Sequence, residues 1–380
     1  MFKESVFAIV GCGIGGATMA ALLQKQGYRV TVYEQAAAFI PAGTGIHITP
    51  NAMKVLRHLG LEPELNETGF APASFTSRAW DTGEVLFSLP LNNTPALYDG
   101  SYLTIHRGAF HGAIVNKVQP GTIQYNKRLK DITQYPDQVV LTFDDATTAC
   151  ADFVIGADGF HSVLRRCVAD QSVPVYSGYA AFRAIVPAHR LRSEPLDGLT
   201  KWWGHDRFII SYFLSKRKDH FYFAAGIPVD QWKGNSHREA TLEELLSGFE
   251  GFHPAVQSFL QVSEQHTLWP LFERPAINNW YHERIVLLGD ASHPMLPHMA
   301  QGAVMAIEDA AVLIRCLDSA GNADWQTVTA RYAHNRQERI KRIKEHSSEN
   351  TWLKTPMDPA WVFAYDAWKA PLVQVTGART

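Results

Sequence analysis

The chain has 380 residues, 46% of them hydrophobic and 19% charged, with a formal net charge of −2 and an isoelectric point near 6.8. That length exceeds one ordinary core and predicts two domains, or one domain carrying an insertion. The balanced charge excludes a basic footprint for nucleic acid or an anionic membrane surface.

No apolar run approaches the ~20 residues of a membrane span, and no charged segment leads into an apolar stretch and cleavage site. The four cysteines, Cys12, Cys150, Cys167 and Cys316, lack metal-ligand spacing. A cytoplasmic protein with reduced thiols, no metal and a small-molecule partner is expected. Residues 6–10 predict a buried strand, followed by Gly11-Cys12-Gly13-Ile14-Gly15-Gly16 and a helix over 17–26. Gly11 suits the tight turn, Gly13 lets a pyrophosphate approach the backbone, and Gly16 lets helix and strand pack closely, with Gly15 between them. A second strand over 29–33 runs into Glu34 and Gln35, about 20 residues past the glycines, where a carboxylate can bond an adenosine ribose. Strand, turn, helix, strand and acid in register predict a dinucleotide site.

Residues 42–51 carry two glycines and a proline and predict a loop laid against the ligand, with helical periodicity resuming over 52–59. His47, between Ile46 and Ile48, reads equally as a histidine satisfied by backbone or as a site residue. A strand over 101–105 precedes His106, Arg107 and a helical segment to Val118; Arg107 is a cofactor contact or a surface ion pair. Residues 139–143 and 146–150 predict a hairpin. The strand at 153–155 ends in Gly156-Ala157-Asp158-Gly159, which places Asp158 at a carboxyl end where ligands bind, unless it caps the turn.

From 178 to 228 the texture changes to alternating aromatic and β-branched runs at 179–186, 200–203, 208–214 and 220–227, predicting an inserted sheet with one packed face and one face lining a cavity. Helical spacing at 242–249 and 254–262 predicts cover for its outer face. The strand at 284–288 ends in Gly289-Asp290. A turn stiffened by Pro294 and Pro297 then leads past His298 to Gln301, Gly302 and Ala303, whose amides start a long helix. Residues 330–343 predict an amphipathic basic helix with a solvated charged face. Residues 351–373 read as irregular, capping a site or mediating a dimer.

Three stretches together carry a resemblance: Gly11–Gly16, G-A-D-G-F-H-S-V-L-R at 156–165, and G-D-A-S-H-P-M-L-P-H-M-A-Q-G-A with E-D-A at 289–310. Their order and spacing resemble the single-component FAD-dependent aromatic hydroxylases over essentially the whole chain. The resemblance implies an α/β fold: a glutathione-reductase-like Rossmann FAD domain split between 1–175 and 276–345, an inserted antiparallel-sheet substrate domain at 176–275 and a C-terminal segment at 346–380. It implies FAD, with NADH rather than NADPH as transient reductant, O2 and a flavin hydroperoxide as oxidant, in a monomer or homodimer. It places FAD against Gly11, Gly13, Gly15, Gly16, Glu34, Gln35, Arg107, Asp158, Asp290, Pro297, Gln301, Gly302 and Ala303. His47, Tyr212 and His298 match pocket residues, the first two as a proton-transfer pair and His298 as a donor to a ring carboxylate.

Within that family, G-I-H-I-T-P-N at 45–51, K-W-W at 201–203, D-R-F-I-I-S-Y at 206–212 and D-P-A-W-V at 358–362 are most similar to hydroxylases that decarboxylate 6-hydroxynicotinate. Phe208 stands where a pocket histidine is expected and Leu199 near where a cysteine is expected. A 6-hydroxypicolinate, 4-hydroxybenzoate or salicylate type of acid, hydroxylated without decarboxylation, is the near alternative. A flavoprotein oxidase or dehydrogenase, or a binding protein that kept the dinucleotide fold, is the competing class.

Overall fold

A computed structural model describes residues 2–41, 43–168, 172–192, 195–234 and 236–375. One sheet has six strands in the order Tyr281–His282, Ile285–Leu287, Phe153–Gly156, Val6–Val10, Arg29–Tyr33 and Ile123–Gln124. All its pairs are parallel except the first, which is antiparallel. Parallel strands covered on both faces need successive apolar side chains, and Phe7 to Val10, Val154, Ile155 and Ile285 to Leu287 are all buried. Phe7 and Ile9 join the core shared with the helices Ile14–Lys25 and Gly302–Asp318. Ala8 and Val10 face the other way, onto a three-stranded sheet of Leu129–Gln134, Val139–Phe143 and Thr148–Ala151, so the expected hairpin gains a third strand.

The stretch 42–51 departs from the expected loop. Gly45–Ile48 forms a strand paired antiparallel with Leu103–His106, because His47 between two isoleucines supplies the period of two that a ladder needs. The following helix starts at Pro50, a residue already set for the first helical position.

The second large sheet has eight strands, ordered Arg238–Ala240, His266–Glu273, Val175–Pro187, His220–Pro228, Phe208–Phe213, Leu199–Trp203, Ser74–Ala79 and Val85–Pro90. Its last two strands come from within residues 1–175, so the substrate-side sheet is completed by a hairpin from the first FAD segment. Period-two alternation gives it two distinct faces. Trp202, Ile209, Phe213, Phe221 and Phe223 pack beneath the helices Leu242–Gly248 and Pro254–Leu260. Phe208, Ile210, Tyr212, Tyr222 and Arg183 face the FAD side. The two adjacent tryptophans part accordingly: Trp202 stacks on His253 at 5.3 Å, and Trp203 projects from the opposite face.

The helix Trp325–Glu349 corrects the expectation of a solvated basic face. Arg336 is fully buried and pairs with Glu308 at 2.8 Å and Asp309 at 2.7 Å, while Arg339 pairs with Glu308 at 2.8 Å. Adjacent acids inside a buried helix demand counter-charges, and this helix supplies them. Beyond it, a short helix Ala360–Phe363 is anchored by the Lys54 ammonium, which donates to the carbonyls of Phe363, Ala364 and Tyr365. Among the described residues no helix is long and apolar enough to cross a membrane.

Candidate active site

The glycine turn is shaped by contact distances. Gly11 has φ +97°, and a Cβ there would strike the Ala157 carbonyl; one on Gly16 would overlap the Gly11 carbonyl. At Gly13 nothing lies within 4 Å of the added atom, so this glycine leaves open the side a phosphate must approach. Glu34 sits at the strand end expected for a ribose partner, and it also braces the turn. Its Oε2 accepts from the Cys12 amide at 2.7 Å and its Oε1 from the Ala36 amide at 2.8 Å. Gln35 is exposed and lies outside the cavity lining described next.

A cavity of about 390 Å³ lies between the two large sheets. Gly13 and Gly15 line it from the turn, His47, Tyr102 and Arg107 from the two-stranded sheet and its exit, and Arg183, Phe208, Tyr212 and Tyr222 from the eight-stranded sheet. Asp290, Pro297, His298, Gly302 and Ala303 close it, with Trp352 from the C-terminal segment. Among the described residues, the side chains of Arg107 and Asp290 make no hydrogen bond, although the Arg107 amide donates to the Thr44 carbonyl at 2.8 Å. Burial raises the pKa of the Asp290 carboxyl, opposed by the charges of His293 and Arg107, and burial lowers that of Arg107, opposed by Asp290. Polar side chains on a cavity wall without partners, beside an open glycine turn and a helix N-terminus, fit a bound flavin dinucleotide. Asp290→Ala should weaken FAD binding by about 1.5 to 3 kcal/mol, or one to two decades in Kd; fluorescence titration of the apoprotein reads it, and an unchanged Kd would remove Asp290 from the cofactor site.

Two expected FAD contacts sit just behind the wall. Asp158 takes the capping geometry: Oδ2 accepts from the amides of Val163 at 2.7 Å and Leu164 at 3.1 Å, while Oδ1 is buried without a hydrogen bond. Gln301 is buried, accepting from Asn51 at 3.1 Å and donating to Thr49 at 3.3 Å. Asn51 also donates to Glu308 at 2.7 Å, so the residue preceding the long helix is wired to the buried ion pairs.

His47, Tyr212 and His298, far apart in sequence, reach one cavity. His47 is 4% exposed, and burial, then the charge of Lys201, push its pKa down to about 3, so the ring is neutral at pH 7. Its Nδ1 lies 2.7 Å from the Tyr102 hydroxyl, which fixes the ring and leaves Nε2 for the cavity. Tyr212 meets His47 edge-on at 4.5 Å, and burial raises its phenol far above the ordinary value. His298 differs from expectation. Its Nδ1 is 2.9 Å from the Ser347 carbonyl, an acceptor only, so Nδ1 carries the hydrogen. Burial, then Lys201, push its pKa down to about 4, leaving Nε2 as a lone pair, buried and without a partner. A neutral His298 therefore accepts a hydrogen bond, and the donor role toward a carboxylate is closed to it. Tyr102, Arg183 and Trp352 were not singled out in the sequence; each reaches the cavity through strand pairing or chain packing, which leaves no local motif.

Residues 4–347 match the family model described as FAD binding domain. The chain belongs to the FAD-dependent aromatic hydroxylases. The hydroxylase is 43% identical over 378 residues to 6-hydroxynicotinate 3-monooxygenase of Pseudomonas fluorescens, covering 98% of both chains. It is 42% identical to the enzyme of the same name from Bordetella bronchiseptica, covering 97% of both. Its fold matches Klebsiella pneumoniae HpxO complexed with FAD and uric acid, at a TM-score of 0.83 and 22% identity over 96% of this chain and 92% of that one. The hydroxylase is thus an FAD-dependent monooxygenase with the α/β architecture expected from its sequence.

Proposed function

We propose that the enzyme converts 6-hydroxynicotinate to 2,5-dihydroxypyridine, using NAD(P)H and O2 and releasing CO2. The observation that carries this reading is the convergence of two neutral histidines and a buried tyrosine on one cavity, in a chain 43% identical to a 6-hydroxynicotinate 3-monooxygenase. FAD, held by the glycine turn, Glu34, Arg107, Asp290 and the amides near Gly302, supplies electron transfer from NAD(P)H and activation of O2.

The protein's own part is proton management and orientation. An electrophilic oxygen is accepted only by an electron-rich ring, so the substrate hydroxyl must lose its proton. His47 Nε2, neutral and oriented by Tyr102, takes it, the oxyanion formed beside it compensating the imidazolium that burial alone disfavours, with Tyr212 bonding that oxyanion. His298 Nε2 accepts a hydrogen bond from a ring N–H or hydroxyl. Oxygen then bonds to the carbon bearing the carboxylate, the carbon–carboxylate bond breaks, and its electron pair returns to the ring as CO2 leaves. The walls formed by Phe208, Ile210, Leu271 and Trp352 keep water from the reacting centre.

Titrating the flavin absorbance with 6-hydroxynicotinate, 6-hydroxypicolinate, 4-hydroxybenzoate and salicylate tests the assignment. 6-Hydroxynicotinate should give the lowest Kd; a tighter benzoate would transfer the assignment to the non-decarboxylating alternative. Phe208, edge-on to His298 at 5.4 Å, offers no hydrogen bond where the family resemblance expects a histidine. Phe208→His should reorder kcat/KM across this panel by about 1 to 3 kcal/mol, the cost of an unpaired polar group, and an unchanged ranking would show that Phe208 does not touch substrate.

A further inference from the structure

Lys201 lies mid-strand in Leu199–Trp203, opposite Ile210 in the antiparallel ladder. Residues paired in this way project to the same face, and Ile210 lines the cavity, so the Lys201 side chain rises on the cavity side of the sheet. It is 2% exposed. Its ammonium donates to Asn350 Oδ1 at 2.8 Å and sits 3.9 Å from the ring centre of Trp203 and 4.8 Å from that of Phe208. Phe208 in turn separates it from the cavity and touches His298.

The groups facing this ammonium are Asn350 and Lys354 from the chain after the long C-terminal helix, two aromatic rings, and the neutral rings of His298 and His47, which feel its charge. Among the described residues no carboxylate pairs with it. A buried cation without a counter-ion is costly unless an anion completes the site. The other cavity cation on this sheet, Arg183, lies three strands away, about 14 Å at the usual strand spacing, and lies over Trp269 at 5.0 Å.

We propose that Lys201 is the counter-charge for the substrate's carboxylate: a positioning residue acting across the Phe208 wall that makes the enzyme select aromatic acids over their uncharged analogues. This rests on the reading of the substrate as an aromatic acid. It also explains how a pocket whose histidines are neutral holds an anion. Burial, then Lys354, bring the Lys201 ammonium down to about 7, so a bound anion must draw the proton back on as pH rises. Affinity for the acid therefore falls above pH 7, while affinity for an amide does not.

The test is isothermal titration calorimetry of the FAD-loaded wild type, Lys201→Met and Lys201→Arg with 6-hydroxynicotinate and 6-hydroxynicotinamide, from pH 6.5 to 9. Wild type should prefer the acid, and Lys201→Met should weaken the acid roughly 10- to 100-fold, the scale of one charge pair at several ångströms, while leaving the amide within about threefold. Lys201→Arg should keep the preference and remove its decline above pH 7, because guanidinium stays charged. Equal weakening of acid and amide in Lys201→Met would reduce Lys201 to a packing residue and overturn the proposal. So would an unchanged acid preference, which would hand the carboxylate to Arg183. If Lys201→Met fails to hold FAD, the wild-type pH series decides: an acid-to-amide ratio constant from pH 6.5 to 9 contradicts the proposal. Should wild type ignore 6-hydroxynicotinate yet bind 4-hydroxybenzoate over 4-hydroxybenzamide, the substrate reading fails and the same variants judge Lys201 on that pair. No acid preference in either pair overturns both.

Discussion

His47→Gln is expected to keep its FAD and its NADH-driven flavin reduction while product formation falls by about 10²- to 10⁴-fold, the range for loss of a general base. The oxygen consumed should leave as H2O2. The effect is large because His47 is buried, neutral and held through Nδ1 by Tyr102, whereas glutamine fills similar space without accepting a proton at pH 7. Since both His47 and His298 are pushed well below the usual histidine value, the parent should show no loss of kcat/KM near pH 6.5 from either ring. Counting NADH oxidised, peroxide released and product formed per enzyme checks this. A His47→Gln enzyme that stays coupled would dismiss His47 as the base.

Arg336→Met should lower stability by about 3 to 5 kcal/mol, the cost of stranding buried charges by removing one partner. Arg336 is sealed from solvent and bonds Glu308 and Asp309 at once. Arg339 then remains for Glu308, and for Asp309 His293 at 2.6 Å and the Gly289 amide at 3.1 Å. Burial raises the Asp309 carboxyl, but His293 and Arg336 more than offset it and hold it at about 2. Its folded value is thus depressed, so its contribution is complete above the unfolded carboxylate value and lost as pH falls through about 2. Without Arg336 that loss should begin at a higher pH. Urea midpoints at pH 7 and pH 4 read both effects; a variant as stable as the parent at both would show that Arg339 and His293 suffice.

The Rossmann strands and glycine turn were legible in the sequence because local chemistry determines them: apolar runs for strands buried on both faces, glycines where a Cβ would strike backbone, an acid at the next strand end. The alternating strands from 179 to 227 were legible for the same reason. Ser74–Ala79 and Val85–Pro90 were not, since the first buries polar Thr76 and Ser77 while the second exposes apolar Val85 and Leu86, and only the pairing of Ser74–Ala79 with Leu199–Trp203, over 120 residues away, marks them as part of that sheet. The site shows the same division. His47, Tyr212 and His298 could be named from family-like motifs, but the tautomer of His298 depends on the Ser347 carbonyl of a distant helix. Lys201 opens the K-W-W stretch at 201–203 with no local sign of a role, because its burial depends on other segments closing over it. The basic helix read as solvated because periodicity reports which residues share a face, and here that face meets two buried acids.

The most direct test is the stoichiometry of turnover with 6-hydroxynicotinate, measuring NADH and O2 consumed and CO2 and H2O2 released, with the product identified by mass. Equal amounts of NADH, O2 and CO2, little peroxide and a dihydroxypyridine product are the predicted result. A hydroxylated product that retains its carboxylate, with no CO2, would contradict the decarboxylating assignment.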